Sequence, residues 1–245
     1  MDKNRVLILV TAIIVGLAII VGLWIHGYEI AESRSVSGLT VTGSVKKLVE
    51  ADLAKWSSSF TLRANTGNLK TVLEQVEFNT DKLKNFITKT GLLEKDIIFL
   101  PVQTNPIYEQ LPGYGYTQDI VGYNVVKEFY VQNNDLAKVE ALSAQYKNII
   151  DLGIIPDYQR TEYFYTKLNE LRPTLFAEAT KDAKNRAEAM ARGTSAKVGA
   201  LVSAKTGVIQ ILPPNSLDIA DYGAYDLSTK EKEITATVTA TFELK

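Results

Sequence analysis

From Ile234 to Leu244 the chain alternates strictly. Ile234, Ala236, Val238, Ala240, Phe242 and Leu244 are apolar, and threonines fill four of the positions between them. A period of two puts all six on one side of an extended chain, so this run predicts a strand with one buried face. Elsewhere the period is that of a helix. Leu69, Val72, Leu73, Val76, Leu83, Phe86 and Ile87 recur at spacings of three and four, after the turn and cap residues Asn65-Thr66-Gly67-Asn68 and before Gly91. A second helix is predicted from Asp135 to Ile150. Its face is Leu136, Val139, Leu142, Tyr146, Ile149 and Ile150; Asn133 or Asn134 caps it and Gly153 stops it. A third has Pro173 in its first turn and ends at Gly193. Phe176, Ala179, Ala183, Ala187 and Met190 form its packing face. Glu178, Lys181, Lys184, Asn185, Glu188 and Arg192 form a solvated face of mixed sign.

Between these helices the sequence reads as strands. Val36–Val45 is short and interrupted by glycine. Asp52–Ala64 has Leu53, Trp56, Phe60 and Leu62 as its apolar set, with a bulge expected near Trp56 because its spacing breaks the alternation. Lys95–Glu109 carries Pro101 and Pro106, which suits a sheet edge. Residues 110–118 read as a loop, Asp119–Gln132 and Ile155–Thr166 as strands. Ala196–Leu212 reads as one strand before the turn at Pro213-Pro214, and residues 215–233 as a loop. The stretch Asp52–Thr166 therefore has the order β-α-β-β-α-β of a ferredoxin-like split βαβ unit, followed by a further α-β-β. The fold class is α+β.

The N-terminus has neither period. Val6 to Ile25 contains no charge, and as a helix it spans roughly 30 Å, the hydrocarbon thickness of a bilayer. A cleavable signal peptide has a shorter apolar run and a small-x-small site after it. The segment "HGYEIAES" offers none, so a retained signal anchor is expected. Lys3 and Arg5 precede it and place residues 1–5 in the cytoplasm by the positive-inside rule. Trp24 marks the far interface, residues 26–35 are a linker, and residues 36–245 form an extracytoplasmic domain. The expected location is a single-pass protein of the inner membrane, with the bilayer as one partner.

Composition removes several kinds of chemistry. The 245 residues include no cysteine and one histidine, His26, beside the anchor. Thiolate catalysis and ordinary structural zinc sites are absent, and no cofactor is expected. A net charge of −1 gives no field for nucleic acid. Asp218, Asp221 and Asp226 share one loop without the spacing of a calcium site, so no metal is expected. "PGYGY" lacks the nucleotide-binding glycine pattern. The run Lys230–Glu233 reads as solvated charge. What stands out is tyrosine in loops: Tyr108, Tyr114 and Tyr116 in one region, Tyr222 and Tyr225 in another. Tyrosine gives large contact area with a polar tip, so these five are the candidate contacts to a partner or a second copy.

The ordered set "VSGLTVTGSV", "GLLEKDIIFLPVQTNPIY", "GYNVVKEFYV", "EATKDAKNRAEAMARG" and "ITATVTATFEL" resembles the SIMPL-domain family, which includes bacterial periplasmic immunogenic proteins. The resemblance covers Val36 to Leu244. Relatives usually have Pro-Asp after the first strand, where this chain has Ala51-Asp52, and many carry a cleaved signal peptide. The resemblance implies an extracytoplasmic domain without established enzymatic activity, self-assembly into ring-like homo-oligomers, and a loose link to envelope stress. No catalytic residue comes with it. Two functions follow as expectations: a membrane-anchored, non-enzymatic envelope protein that self-assembles, or an envelope ligand-binding protein or hydrolase using the tyrosine and acidic loops.

Overall fold

The computed structural model describes residues 14–24, 38–111, 113, 115–216 and 223–245. Residues 14–24 form helix α1. There follow β1 (Gly38–Glu50), β2 (Leu53–Asn65), α2 (Leu69–Lys89), a 3-10 turn (Glu94–Asp96), β3 (Ile97–Phe99), β4 (Gln103–Leu111) and β5 (Gly115–Asn133). Then come α3 (Leu136–Ser143), α4 (Tyr146–Asp151), β6 (Pro156–Phe164), α5 (Leu168–Arg192), β7 (Val198–Thr206), β8 (Gln210–Leu212) and β9 (Glu231–Leu244). The chain is a mixed α/β protein with two antiparallel sheets. It divides into two units: Met1–Val45, Thr174–Gly207 and Ala236–Lys245 form unit 1, and Lys46–Pro173 and Val208–Thr235 form unit 2.

Of the apolar N-terminal run, only α1 and its residues are described. Its large side chains, from Ile14 to Trp24, are exposed. No helix among the described residues is long and apolar enough to cross a membrane. The rest of the expected span, residues 6–13 and 25, lies outside the described residues, as do Lys3, Arg5, His26 and the linker.

In unit 2 the strand order is β3-β5-β2-β6, with β4 also paired to β5. The expected β-α-β-β-α-β order is present, with two of its members split. The second strand breaks into β3 and β4 around Pro101, which has no N–H to give a ladder. Both pieces line the same outer edge of β5, the edge position the prolines predicted. The second helix breaks into α3 and α4 at Ala144-Gln145, where the Ser143 hydroxyl donates to the Glu140 carbonyl at 2.9 Å and the Gln145 N–H to the Leu142 carbonyl at 2.9 Å. Its cap is Asp135 rather than Asn133 or Asn134. The helix starts at Leu136, so Asp135 holds the cap position and its carboxylate accepts from the Lys138 N–H, while the Asn133 side-chain oxygen accepts from the Asp135 N–H.

β2 buries Ala54, Trp56, Phe60 and Ala64 in the core with Val76, Leu83 and Ile87 of α2 and Val139 and Leu142 of α3. Trp56 stands edge-on to Phe129, with ring centroids 5.5 Å apart. The bulge expected near Trp56 is elsewhere. β2 and β5 pair without interruption past it, and Leu53 is the residue off the core face. The irregularity falls at Ser59/Phe60 against β6. There the extra residue, Asp157, accepts the hydroxyls of Ser59 and Thr61, both at 2.8 Å.

In unit 1, α5 packs on a sheet. β9 pairs with β7 on one side and β1 on the other. Leu175, Ala179, Ala183, Ala187 and Ala191 of α5 are buried at a strict spacing of four. The packing face thus ends at Ala191, and Met190, expected on it, is 57% exposed. Pro173 is not in the first turn; the helix begins at Leu168 and the proline lies inside it. A Cβ at Gly43 would stand 2.2 Å from the Ala179 carbonyl oxygen and 2.3 Å from the Ala183 nitrogen. Glycine there lets β1 touch the helix backbone. On β9, Val238, Ala240 and Phe242 join this core, while Leu244 at the end is 37% exposed. The threonine face is bonded across the sheet, Thr40 to Thr241 at 2.9 Å and Thr42 to Thr239 at 3.0 Å. The strand expected over 196–212 is two strands. Gly207 separates them, held on Thr237 so closely that a Cβ would meet its hydroxyl at 2.2 Å.

Candidate functional site

Residues 110–118, expected to be a loop, are largely a β-ribbon. Gln110 pairs with Tyr116 and Leu111 with Gly115. The polar and glycine-rich sequence hides this, because a two-stranded ribbon has no buried face to impose alternation. β2 ends its pairing with β5 at Gly122, so residues 115–121 have only β4 beside them among the described strands. The result is an arm. It carries Tyr108, Leu111, Tyr116, Ile120 and Val121, all exposed, with Tyr116 at 74%. A ribbon of two strands is marginal in water, and this one gathers large apolar side chains at the surface. Of the tyrosines proposed as contacts, Tyr108 and Tyr116 are therefore brought onto one feature. Tyr114 and Tyr222 lie outside the described residues.

Tyr225 does something different. Its hydroxyl accepts from the Tyr165 N–H at 2.9 Å and donates to the Tyr165 carbonyl at 3.2 Å. This tyrosine fastens the segment before β9 onto the end of β6. Next to it Asp226 holds a tight turn. Its carboxylate accepts from the Ser228 and Thr229 hydroxyls at 2.7 and 2.6 Å and from their N–H groups at 3.2 and 3.0 Å. Burial opposes the charge, but these four bonds outweigh it and hold the carboxyl well below its usual range. A base working near neutral pH needs the opposite shift.

Lys232 is fully buried behind this turn. Its ammonium donates to the carbonyls of Asp226 and Thr229 at 2.6 and 2.9 Å and lies 3.5 Å from the Asp226 carboxylate. Burial lowers its pKa, and Asp226 partly restores it. Lys230 bonds Glu140 at 2.8 Å, and Tyr163 donates to the same carboxylate at 2.7 Å. Burial and Glu140 push the Tyr163 hydroxyl up to about 12. The run Lys230–Glu233 is therefore not plain solvated charge. The missed signal was the alternation of β9 itself: two residues before Ile234, Lys232 falls on the buried face.

A cavity of about 370 Å³ opens over the turn, lined by Arg160, Glu162, Tyr225, Asp226 and Ser228 among others. Arg160 and Glu162 pair at 3.0 Å across its wall, and the Ser228 hydroxyl is committed to Asp226. Its polar groups satisfy one another, which describes a structural clamp. Asp218 and Asp221 lie outside the described residues. Among the described residues no three histidine, cysteine or acidic side chains converge as a metal site.

No curated protein sequence matches the chain. Residues 39–242 match the SIMPL family, described as a protein of unknown function (DUF541). That stretch takes in β2 to β8 and α2 to α5 whole, with all but the outermost residues of β1 and β9, and the chain belongs to the SIMPL family.

Proposed function

We propose that this SIMPL protein is a membrane-anchored, non-enzymatic component of the cell envelope that assembles with copies of itself, in a closed ring. The observation that carries the reading is the arm: Tyr108, Leu111, Tyr116, Ile120 and Val121 are exposed on a ribbon that has little reason to persist alone. A second copy covering it offsets that exposure, and tethering to one membrane raises the effective concentration of subunits. A ring with its axis along the membrane normal satisfies all copies equally. Support for the anchor is the uncharged run from Val6 to Ile25 and the exposed apolar surface of α1. Lys3 and Arg5 favour an inside N-terminus, with the outer domain in the periplasm. A role in envelope stress is the physiological side of the same proposal.

Two experiments test it. Protease added to spheroplasts is expected to digest the domain from residue 38 onward; a protected domain contradicts the topology. Light scattering on the detergent-purified chain, and on a chain starting at Glu32, is expected to give in each case a multiple of that chain's own protomer mass, 27.1 kDa for the full chain. Monomers in both contradict assembly.

A further inference from the structure

A second unpartnered feature lies in unit 1. β7 is the last strand of its sheet and pairs only with β9 among the described strands. From Ser203 to Thr206 its register is regular, so this stretch keeps a straight outer edge. From Val198 to Ser203 the register shifts twice. Beside that irregular stretch a cleft of about 370 Å³ lies between β7 and α5, with Ala200, Leu201 and Phe242 as its apolar part and Thr180, Lys181 and Lys184 on the helix side. Bulges recur where a strand redirects side chains next to a binding site.

Lys181 and Lys184 are the charged side chains that line the cleft, on a helix face that is otherwise of mixed sign. Lys181 has no ion-pair partner among the described residues, and Lys184 has only Glu188, at 3.9 Å. Glu243 alternates with Phe242 on β9, and its carboxylate lies against Gly199, where a Cβ would stand 3.0 Å from Oε2. A strand edge, an adjoining apolar cleft and two lysines match an extended chain with an apolar residue and a carboxylate close together. We propose that this edge and cleft bind an extended acidic segment of a different protein. The segment pairs with Ser203–Thr206, seats an apolar side chain over Leu201 and Phe242, and sets its carboxylate against Lys181 and Lys184. This surface belongs to unit 1 and the arm to unit 2, so the inference stands apart from self-assembly.

The test uses the full chain in detergent and a short fluorescein-labelled peptide alternating leucine or valine with aspartate; its control has lysine for aspartate. Fluorescence anisotropy is expected to saturate with the acidic peptide and not with the basic one, and binding weakens as salt rises. The double variant Lys181→Glu, Lys184→Glu is expected to bind about tenfold or more weakly, and Leu201→Asp likewise. These positions are exposed, and unchanged melting temperatures would show that both variants fold. No saturable binding, equal binding of the basic peptide, or binding indifferent to both variants overturns the proposal. So does loss of oligomer mass in the lysine double variant, which would make the occupant a second copy.

Discussion

The two units bury a helix against a sheet by opposite means. Unit 2 fills the space between layers with large side chains: Trp56, Phe60, Phe129, Leu83, Ile87 and Leu142. Unit 1 removes the space. Its helix contributes Ala179, Ala183 and Ala187, and Gly43 lets a strand reach the helix backbone. The first core depends on filled volume and the second on close approach. Loss of atoms should therefore damage unit 2, and gain of atoms should damage unit 1.

Phe60→Ala is the largest break. It empties a site 1% exposed, and urea denaturation is expected to show a loss of about 3–5 kcal/mol. Ala183→Leu in unit 1 is expected to cost about 1–3 kcal/mol by overpacking, with Gly43→Ala at the upper end because backbone atoms stand in the way. If Phe60→Ala is mild while Ala183→Leu is severe, the contrast is wrong in kind. Asp226→Asn sharpens it differently, since the turn it holds depends on charge and hydrogen bonds rather than volume. The folded carboxyl titrates below its ordinary value, so its stabilisation is full above pH ~4 and drains away as pH falls below that. The wild type is expected to lose stability over that acid range, and Asp226→Asn to start lower and fall less steeply. Equal slopes would show that the carboxylate does not matter. The smallest effect belongs to Lys184→Ala, on the exposed face of α5, expected to change stability by under about 0.5 kcal/mol.

The regular parts of this architecture were legible because one buried face imposed a period. α2, from the Asn68 cap to Gly91, and the strand at Ile234–Leu244 are where the spacing put them. Legibility failed where no buried face acts or where no residue type announces a break. The arm reads as a loop because both its faces are wet. The break between α3 and α4 falls at Ala144-Gln145 with no glycine or proline to announce it, and the cap falls on Asp135, one or two residues past the asparagines. Met190 was assigned inward by counting threes and fours, whereas the alanines keep strict fours and carry the face past it to Ala191. Of the candidate contacts, Tyr108 and Tyr116 sit on a ribbon that residue type alone does not reveal. Tyr225, also a candidate, has its hydroxyl bonded to Tyr165, a link that residue type alone does not reveal. Lys232 was missed because a lysine is not expected inside, even though its position in the alternation points there.

The central claim is assembly through the arm. Its most direct measurement is the sedimentation mass, in detergent, of the full chain beside the double variant Tyr116→Asp, Ile120→Asp. Both side chains are exposed, so the folded protomer loses little when they change. The account predicts a multiple of the protomer mass for the wild type, and for the variant a folded monomer with an unchanged melting temperature of its cores. A wild-type monomer, or a variant that keeps the full oligomer mass, would contradict it.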